Sequence, residues 1–381
     1  MNLCLPYASV YMLALGMNDV QVGIVASVYM LMQVVFAFLG GPITDKLGRR
    51  LSTAIFDFTA WSLPCVIWCF AQNFWAFIIA ALLNGTMKIT QNSWDCLLVE
   101  DAEREQIPDI YSLVISAGQL SALFAPISAI LVSRYSLVFA VRILYANAFI
   151  IMTAKLIILY ICSRETRTGM VRMAETKGKS LFSQVPGYAG VLRLMLKSKG
   201  TLFAILISAL VSIVGMINTS FWQIIVNKRI GVPDSFLPLF PMFRSIISMI
   251  FLFTLIPWLT HKGLKHPLRY GFASYFIGQL LLILTPLQGD FRYPVLLVSC
   301  VFDAFGSGAL AMMAESLVAL HVDEAERARV LSILMMIIML VSTPFGWIAG
   351  LLSETARWLP FALNLILLAT GWTAGTLFYR K

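Results

Sequence analysis

Charged residues are scarce in this sequence. Asp, Glu, Lys and Arg make up 12% of the 381 residues and hydrophobic residues 59%, whereas soluble domains carry about 25% charged residues. A water-soluble fold of this length could not cover its own surface with so few charges. The chain also lacks the Gly-x4-Gly-Lys-Ser/Thr sequence that holds nucleotide phosphates, so an ATP-driven pump in one chain is unsupported.

Metal-binding patterns are missing as well. The three histidines, His261, His266 and His321, fall in polar loops and form no cluster. The six cysteines lie in or at the ends of apolar segments without other ligands, which is typical of small buried hydrophobic residues. We therefore expect no metal, no cofactor and no proton relay through histidine.

Long apolar segments are abundant. A spanning helix needs about 20 mostly apolar residues, and backbone exposed to lipid cannot be solvated, so such segments should be helices. The alternating pattern of barrel strands is absent. The first segment is short, which leaves open a native start upstream of Met1. Twelve candidates lie at 3–16, 21–43, 52–71, 75–98, 110–132, 137–161, 201–226, 236–259, 270–287, 294–319, 330–352 and 358–378.

The net charge of +9 does not indicate nucleic-acid binding, because the basic residues are unevenly distributed. If both ends are cytoplasmic, the inner loops and tail hold nineteen Lys and Arg and the outer loops hold five. This asymmetry obeys the positive-inside rule. We expect a multi-pass protein of the plasma (inner) membrane with both termini cytoplasmic, the lipid bilayer around it and no nucleic-acid partner.

The sharpest motif lies between the second and third apolar segments. Residues 41–50 read Gly-Pro-Ile-Thr-Asp-Lys-Leu-Gly-Arg-Arg, a glycine-led sequence with one acid and three bases. Apolar sequence runs up to it on both sides, which predicts a tight reversal at a membrane face. Lys46, Arg49 and Arg50 mark that face as cytoplasmic.

The spacing of Gly41, Asp45, Gly48 and the following Arg-Arg pair closely resembles the signature between helices two and three of major facilitator superfamily (MFS) transporters. The resemblance implies an all-α integral membrane protein with the major facilitator fold, in which twelve transmembrane helices form two six-helix bundles. It also implies a secondary transporter in which the two bundles rock against each other. We expect the protein to be a monomer.

A long polar stretch divides the apolar segments into six and six. We predict an N-terminal six-helix bundle at 1–162, a cytoplasmic linker at 163–199 and a C-terminal six-helix bundle at 200–381. Residues 191–199 alternate Leu and Met with Arg and Lys, which favours an amphipathic helix at the membrane surface.

The two halves repeat each other at an offset of 220 residues. Asp95 in the fourth segment aligns with Glu315 in the tenth, and Arg49 aligns with Arg269. Parallel repeats of this kind are what the resemblance implies. The second copy of the charged motif, at 261–266, lacks the aspartate.

The resemblance also suggests an inner gate. It predicts an ion pair between Arg49 and Asp95, and the repeat predicts a second between Arg269 and Glu315, while Asp45 braces the eleventh helix. Such pairs would close the cytoplasmic side and break when it opens; static structural pairing is the alternative. The gate residues are Gly41, Asp45, Gly48, Arg49, Arg50, Asp95, Arg269 and Glu315.

Other charges lie inside the apolar segments, where each costs about 2.5–3.5 kcal/mol at mid-bilayer. Near helix ends, Arg142 and Lys155 are expected to snorkel toward water and Asp57 to pair locally. Arg244 and Asp303 lie at similar depth, about eight and nine residues from the outer ends of their helices, which favours a salt bridge between them.

Polar residues at helical spacing form stripes on several segments. The fourth carries Asn84, Lys88, Gln91 and Asp95 on one face, with Lys88 near the midplane and without an obvious partner. Such a face must look into the protein or a wet cavity; hydrogen bonding between helices is the alternative. The predicted cavity residues are Tyr7, Tyr11, Asn84, Lys88, Gln91, Ser116, Gln119, Asn218, Trp222, Arg244 and Asp303.

These features favour a secondary active transporter of a small-molecule solute, driven by a proton or solute gradient. Lys88 and Arg244 favour a small polar or anionic solute or a sugar. If protons are coupled, Asp303 or Asp95 must carry them.

Two other readings stay open. One is hydrophobic drug efflux, although 125–129 lacks the Gly-Pro-x-x-Gly-Gly kink of drug antiporters. The other is a non-transporting sensor on the same fold. We do not expect an enzyme, since the acidic run 100–109 has no histidine or cysteine partner.

Overall fold

The computed structural model covers most of the chain in detail. Residues 252–253, 265, 315–316, 318–321 and 327–332 are described by their backbone alone. The described residues are 1–103, 106, 110, 113–114, 117–118, 120–121, 124–178, 180, 199–254, 265–321 and 327–378.

The described chain is built of α-helices with short 3-10 and π segments. The α-helices are α1 (Ala8–Ala14), α2 (Asp19–Leu47), α3 (Arg49–Asp57), α4 (Leu63–Phe70), α5 (Phe74–Asn84), α6 (Met87–Val99), α7 (Ala125–Arg134), α8 (Leu137–Cys162), α9 (Arg167–Thr176), α10 (Lys199–Ile224), α11 (Leu239–Phe253), α12 (Lys265–Leu284), α13 (Arg292–His321), α14 (Arg327–Thr355) and α15 (Leu359–Phe378).

Helices lie where the sequence places apolar segments. Nine helical stretches among the described residues are long and apolar enough to cross a membrane, and Leu5–Ala14 and Ala125–Arg134 are shorter apolar helices. Of the fifth predicted segment, 110–132, the continuous described helix begins at Ala125, and the end of the eighth, at 255–259, lies outside the described residues.

The reversal predicted at 41–50 is much tighter than expected. Helix α2 continues through Gly41 and Pro42 to Leu47, and α3 begins at Arg49. Pro42 removes one intrahelical donor without ending the helix. The helix ends at Gly48, whose φ of 85° is a conformation that glycine adopts without steric cost.

The spans beside this turn are irregular at mid-depth. A π segment, Phe58–Ser62, separates α3 from α4, and the Gly85–Thr86 step separates α5 from α6. A side chain at Gly85 would overlap the Cβ of Met32 on α2, so glycine permits this close approach. The carbonyl of Ala60 in the π segment accepts a hydrogen bond from Asn84 Nδ2 at 2.6 Å, and such π bulges recur at functional sites.

Helix contacts fall into two groups. Helices α2 to α6 and α8 contact one another, and helices α10, α12, α13 and α15 contact one another. The groups meet where α2 packs along α14, α1 against α10, and α7 against α11. One hydrophobic cluster, which includes Tyr11, Phe221 and Phe361, extends across this meeting surface.

The two membrane faces differ in how the groups join. We name the face with the turn at Gly48 and helix α9 the basic face, and the other the opposite face. Every hydrogen bond between the two groups within the described ranges joins residues 18–27, at the start of α2, to residues 343–357, in the second half of α14 and just beyond it. Ser27 Oγ donates to the Thr343 carbonyl at 2.6 Å, and Ser353 Oγ donates to Asp19 Oδ2 at 2.6 Å. The structure is therefore closed at the opposite face.

The linker contains a helix that the sequence patterns did not reveal. Thr166 Oγ1 caps α9 by accepting from the Gly169 N–H at 2.9 Å. The amphipathic helix predicted at 191–199 lies outside the described residues, except for Lys199.

Candidate functional site

Two cavities adjoin near the middle of the molecule. The polar cavity, of about 400 Å³, is bordered by α10, α11, α12 and α13. The aromatic cavity, of about 340 Å³, is bordered by α1, α2, α5, α8, α10 and the span 49–70. Thr219 on α10 lines both. Each volume falls within the range of roughly 300–1,000 Å³ found for small-molecule sites.

Among the described residues that line the polar cavity, Arg244 alone carries a charge. Within the described chain, Arg244 makes no ion pair within 4.0 Å and no side-chain hydrogen bond. Gln223, which is 9% exposed, also lines this cavity, and its buried Oε1 has no hydrogen-bond partner there. The cavity therefore offers unused donors and an unused acceptor.

A buried polar network lies behind the polar cavity. Gln279 Nε2 donates to Asp303 Oδ1 at 3.0 Å and to Asn218 Oδ1 at 3.2 Å. Asn218 Nδ2 donates to the Tyr275 hydroxyl at 3.0 Å, and Asn364 Nδ2 donates to Gln279 Oε1 at 2.9 Å. Asp303 is fully buried. Because Asn218 and Tyr275 also line the cavity, the network connects its wall to the carboxylate.

The predicted salt bridge between Arg244 and Asp303 is wrong. No nitrogen–oxygen distance within 4.0 Å joins these two described residues. The reason is that Gln279 on α12 occupies the Asp303 carboxylate by donating to both of its oxygens. The Arg244 side chain therefore lines the cavity without an ion pair among the described residues.

The aromatic cavity is lined mainly by rings and aliphatic side chains. Tyr29, Trp61, Trp68, Phe77 and Tyr145 supply its aromatic walls. The ring centroids of Trp68 and Tyr145 lie 5.3 Å apart and the ring planes are tilted by 38°, so these two rings pack against each other. The sequence did not single out these five residues, because aromatic residues are common throughout the chain and their spacing carries no separate signal.

The predicted cavity residues are distributed between cavity and core. Asn84 lines the aromatic cavity, and Asn218 and Arg244 line the polar one. Tyr7, Tyr11 and Trp222 are instead buried in the hydrophobic cluster between the helix groups and line neither cavity. Ser116 and Gln119 lie outside the described residues.

Lys88 has a partner, contrary to expectation. Its Nζ donates to Gln91 Oε1 at 3.0 Å, one turn along α6. Both residues lie farther toward the basic face than Asn84 and do not line either cavity as described.

A charge cluster holds the turn at Gly48. Arg49 is 4% exposed, and its Nη1 lies 3.0 Å from Asp45 Oδ1. Its Nη2 lies 2.9 Å from Glu100 Oε1, just beyond the end of α6. The predicted ion pair between Arg49 and Asp95 is wrong. Asp95 lies more than one helical turn farther into the membrane span, whereas Glu100 is level with the Arg49 guanidinium.

The segment before α9 completes this cluster. Glu165 accepts the backbone N–H groups of Arg49 at 2.8 Å and Arg50 at 3.0 Å, at the N-terminus of α3. Thr166 Oγ1 donates to Glu100 Oε2 at 2.5 Å. Burial alone would raise the pKa of Glu100, but hydrogen bonds from Arg49 and Thr166 outweigh it and hold that pKa below its usual value.

The second predicted gate pair lies partly outside the described side chains. Arg269 is exposed, with its guanidinium 5.9 Å from the Trp372 ring centroid. The side chain of Glu315 and those of 327–332, where Asp45 would brace the eleventh span, are not described. Both contacts stay predictions.

The remaining membrane charges find local partners. Lys155 Nζ lies 2.7 Å from Asp57 Oδ2, so the local partner predicted for Asp57 is present. Arg142, which was expected to snorkel toward water, is partly exposed, and its Nη2 donates to the Ala71 carbonyl at 3.0 Å, at the end of α4.

Comparison with known proteins identifies the family. The model of the Major Facilitator Superfamily matches residues 1–293, more than half of the chain. The chain is 25% identical over 128 residues to the uncharacterized MFS-type transporter YqjV of Bacillus subtilis (strain 168). That match spans 33% of this chain and 31% of the length of YqjV.

Solved structures show the same fold at low identity. The nucleoside transporter NupG has a TM-score of 0.73 at 16% identity, covering 100% of this chain and 96% of that one. A bacterial homologue of the iron transporter ferroportin, in an inward-facing state, has a TM-score of 0.74 at 13% identity, with 100% and 95% covered. A POT family transporter in complex with a thioalcohol-conjugated peptide has a TM-score of 0.70 at 16% identity, with 99% and 92% covered. The chain therefore belongs to the major facilitator superfamily and is a multi-pass membrane protein of this transporter family, with its all-α fold.

Proposed function

We propose that this protein is a secondary active transporter that moves a small polar or anionic solute by alternating access. The observation that carries the proposal is Arg244, a guanidinium with no ion pair within 4.0 Å and no side-chain hydrogen bond among the described residues, in a cavity of about 400 Å³ bordered by α10 to α13. A charge inside a membrane span is costly and is typical of a substrate or ion pathway. The solute would be held there while the bundles at 1–162 and 200–381 rock.

The orientation we propose places the basic face in the cytoplasm, with both termini inside and the protein in the plasma membrane. The excess of Lys and Arg on the basic face supports it. The closed opposite face then corresponds to the outside, and the cluster around Arg49 holds one bundle's inner end together.

A proton or solute gradient would drive the cycle, and Asp303 is the residue we propose for proton coupling. Its carboxylate is fully buried and bonded to the neutral amide of Gln279, so it can take up and release one proton within the span. In proteoliposomes, Asp303→Asn should keep solute counterflow and lose accumulation driven by a pH gradient. Equal pH-driven accumulation in the variant and the wild type would exclude this role.

Transport itself is tested by counterflow of radiolabelled organic acids and sugars in proteoliposomes. A charge-assisted hydrogen bond contributes about 1.5–3 kcal/mol, so Arg244→Gln should weaken the transport of an anion about 10- to 100-fold. Arg134→Gln, at an exposed arginine near the opposite face, is the matched control and should transport like the wild type. Wild-type protein that exchanges no solute in such a panel would contradict the proposal.

Hydrophobic drug efflux is the second candidate, and the aromatic cavity favours it. A neutral lipophilic solute would occupy the aromatic walls and leave Arg244 without a partner. Its transport should therefore be unaffected by Arg244→Gln, which separates the two candidates.

A further inference from the structure

The polar cavity has the chemistry of a site for a single anionic group. Arg244 presents a planar fork of five N–H donors, which suits a carboxylate, sulfonate or phosphate oxygen pair. Ser245 and Ser248 line the same space and can supply further hydroxyl donors, whereas Ser307 Oγ donates to the Asp303 carbonyl at 2.6 Å. The described lining contains no acidic side chain; Asp303, whose charge acts on Arg244, lies behind the cavity wall and is bonded to Gln279.

The aromatic cavity has a different chemistry. Trp61, Trp68 and Tyr145 offer ring faces, and much of the rest of the lining is aliphatic. Both amides in this wall already donate: Asn84 Nδ2 to the Ala60 carbonyl and Asn2 Nδ2 to Ser121 Oγ. Such walls are suited to a flat apolar or aromatic body, because ring stacking adds about 0.5–1.5 kcal/mol to burial.

Consecutive residues of α10 connect the two cavities. Asn218 lines the polar cavity, Ser220 lines the aromatic one, and Thr219 between them is exposed and lines both. A solute that filled one cavity would leave the other unused: a small hydrophilic anion would leave the aromatic walls empty, and a neutral lipophile would leave Arg244 unpaired. A solute with both parts satisfies both cavities.

We propose that the solute is an amphiphilic organic anion, with its anionic group on Arg244 and an aromatic or flat apolar body in the aromatic cavity, against the walls that Trp61, Trp68 and Tyr145 supply. That the anion is carried across the membrane rests on the proposed function; that it binds here does not. The inference narrows the substrate class to molecules that combine one negative group with an apolar body, and it gives separate roles to the two halves of the site.

Equilibrium binding to the purified full chain in lipid nanodiscs tests the proposal. The aromatic anions are 2-naphthoate, indole-3-acetate and 4-phenylbutyrate. Their comparison ligands are 2-naphthamide, which keeps the ring without the charge, and glutarate, which keeps the charge without the ring. At least one aromatic anion should bind about tenfold more tightly than both comparison ligands, since each lacks one interaction of about 1.4 kcal/mol or more.

Two variants locate the binding, each with a matched control. Arg244→Gln should weaken the aromatic anion about 10- to 100-fold and leave 2-naphthamide unchanged, while Arg134→Gln changes neither. Trp68→Leu should weaken both aromatic ligands by a similar factor, while Trp75→Leu, at a tryptophan that is 68% exposed, should not. The wild-type comparison of charged and neutral ligands does not depend on either variant folding.

Several results would overturn the proposal. They are glutarate or 2-naphthamide binding as tightly as the best aromatic anion, no binding by any of the three aromatic anions, or equal effects of Arg244→Gln and Arg134→Gln. Counterflow in proteoliposomes separates this inference from the proposed function. If the aromatic anions bind but show no counterflow, the proposed transport function is contradicted and the proposed ligand class is supported. If glutarate shows counterflow and the aromatic anions are not preferred, the transport function is supported and the proposed ligand class is contradicted.

Discussion

Arg49 is held from several directions at once, and its burial makes the contact with Glu100 important for stability. Glu100→Gln keeps the shape of the side chain and removes its charge, which leaves a buried guanidinium with a weaker acceptor. We expect a loss of about 2 kcal/mol in the free energy of unfolding. The measurement is thermal unfolding in detergent micelles with matched protein concentrations.

Glu103→Gln is the control for this change. Glu103 lies on the same face but is exposed and bonds only to Gln106, at 3.4 Å, among the described residues. Such surface changes usually stay within about 0.5 kcal/mol. A Glu100→Gln protein as stable as Glu103→Gln would show that the cluster around Arg49 does not support the fold.

The stabilisation from Glu100 should also depend on pH. Because its pKa in the folded protein is held below the usual value, chiefly by bonds from Arg49 and Thr166 that outweigh burial, the stabilisation is present above about pH 4.3, the usual glutamate pKa, and is lost as the pH falls through the lower folded-state pKa. The melting-temperature difference between the wild type and Glu100→Gln should be full at pH 7 and shrink below roughly pH 4. A difference that grows on acidification contradicts this assignment.

At the residue scale, the sequence indicates which polar side chains belong to the site, but it does not indicate which of them contact each other. Asn218 and Arg244 were predictable, because polar groups in apolar helices must face protein or water. The pairing of Arg49 with Glu100 was not, because the pattern along one helix carries no information on its axial offset from the next. Gln279 and Asn364 were equally detectable as isolated amides within apolar segments, and their meeting at Asp303 depends on the same offsets.

At the scale of elements, the packing of α2 on α14 closes the opposite face through small residues. A Cβ at Gly23 would overlap the Gly346 carbonyl oxygen, and one at Gly346 would lie 2.6 Å from Ser27 Oγ. Gly23→Ala should therefore force the helices apart and cost about 1–3 kcal/mol of contact energy. Faster alkylation of a cysteine placed at Val20 would report the opening.

Gly41→Ala is the matched control on the same helix. A Cβ at Gly41 meets nothing within 4 Å, and its backbone is helical, so alanine there should leave the opposite face closed. Equal alkylation rates in the Gly23→Ala and Gly41→Ala backgrounds would rule out the proposed role of the close contact.

Element boundaries followed the hydrophobic pattern except where one residue decides. The pattern predicted the long helices because membrane burial imposes length and apolarity together. It did not predict that α2 continues past Pro42, because the reversal depends on one residue, Gly48, and its positive φ. Helix α9 was missed as well, since its N-cap, Thr166, acts within a polar stretch without hydrophobic periodicity.

At the scale of the whole molecule, the charged motif at 41–50 was enough to indicate the family, which the family model confirms. The conformation was not predictable, because alternating states of one fold share a sequence and differ only in which face the bundles close. The two cavities could not be predicted from the sequence either, because their walls are formed by helices that are far apart in the chain and meet around Thr219.

Alternating access is the central claim, and spin-label distances across the two faces test it most directly. One label pair, at Asn73 and Asp290, reports the opposite face, and a second, at Glu175 and His266, reports the basic face; all four residues are exposed. Both pairs are measured in a background without the six native cysteines, at pH 5 and pH 8, with and without 2-naphthoate. We predict two distance populations in each pair that shift in opposite directions, one face opening as the other closes. A single unchanged population in both pairs, or two faces that open together, would contradict alternating access.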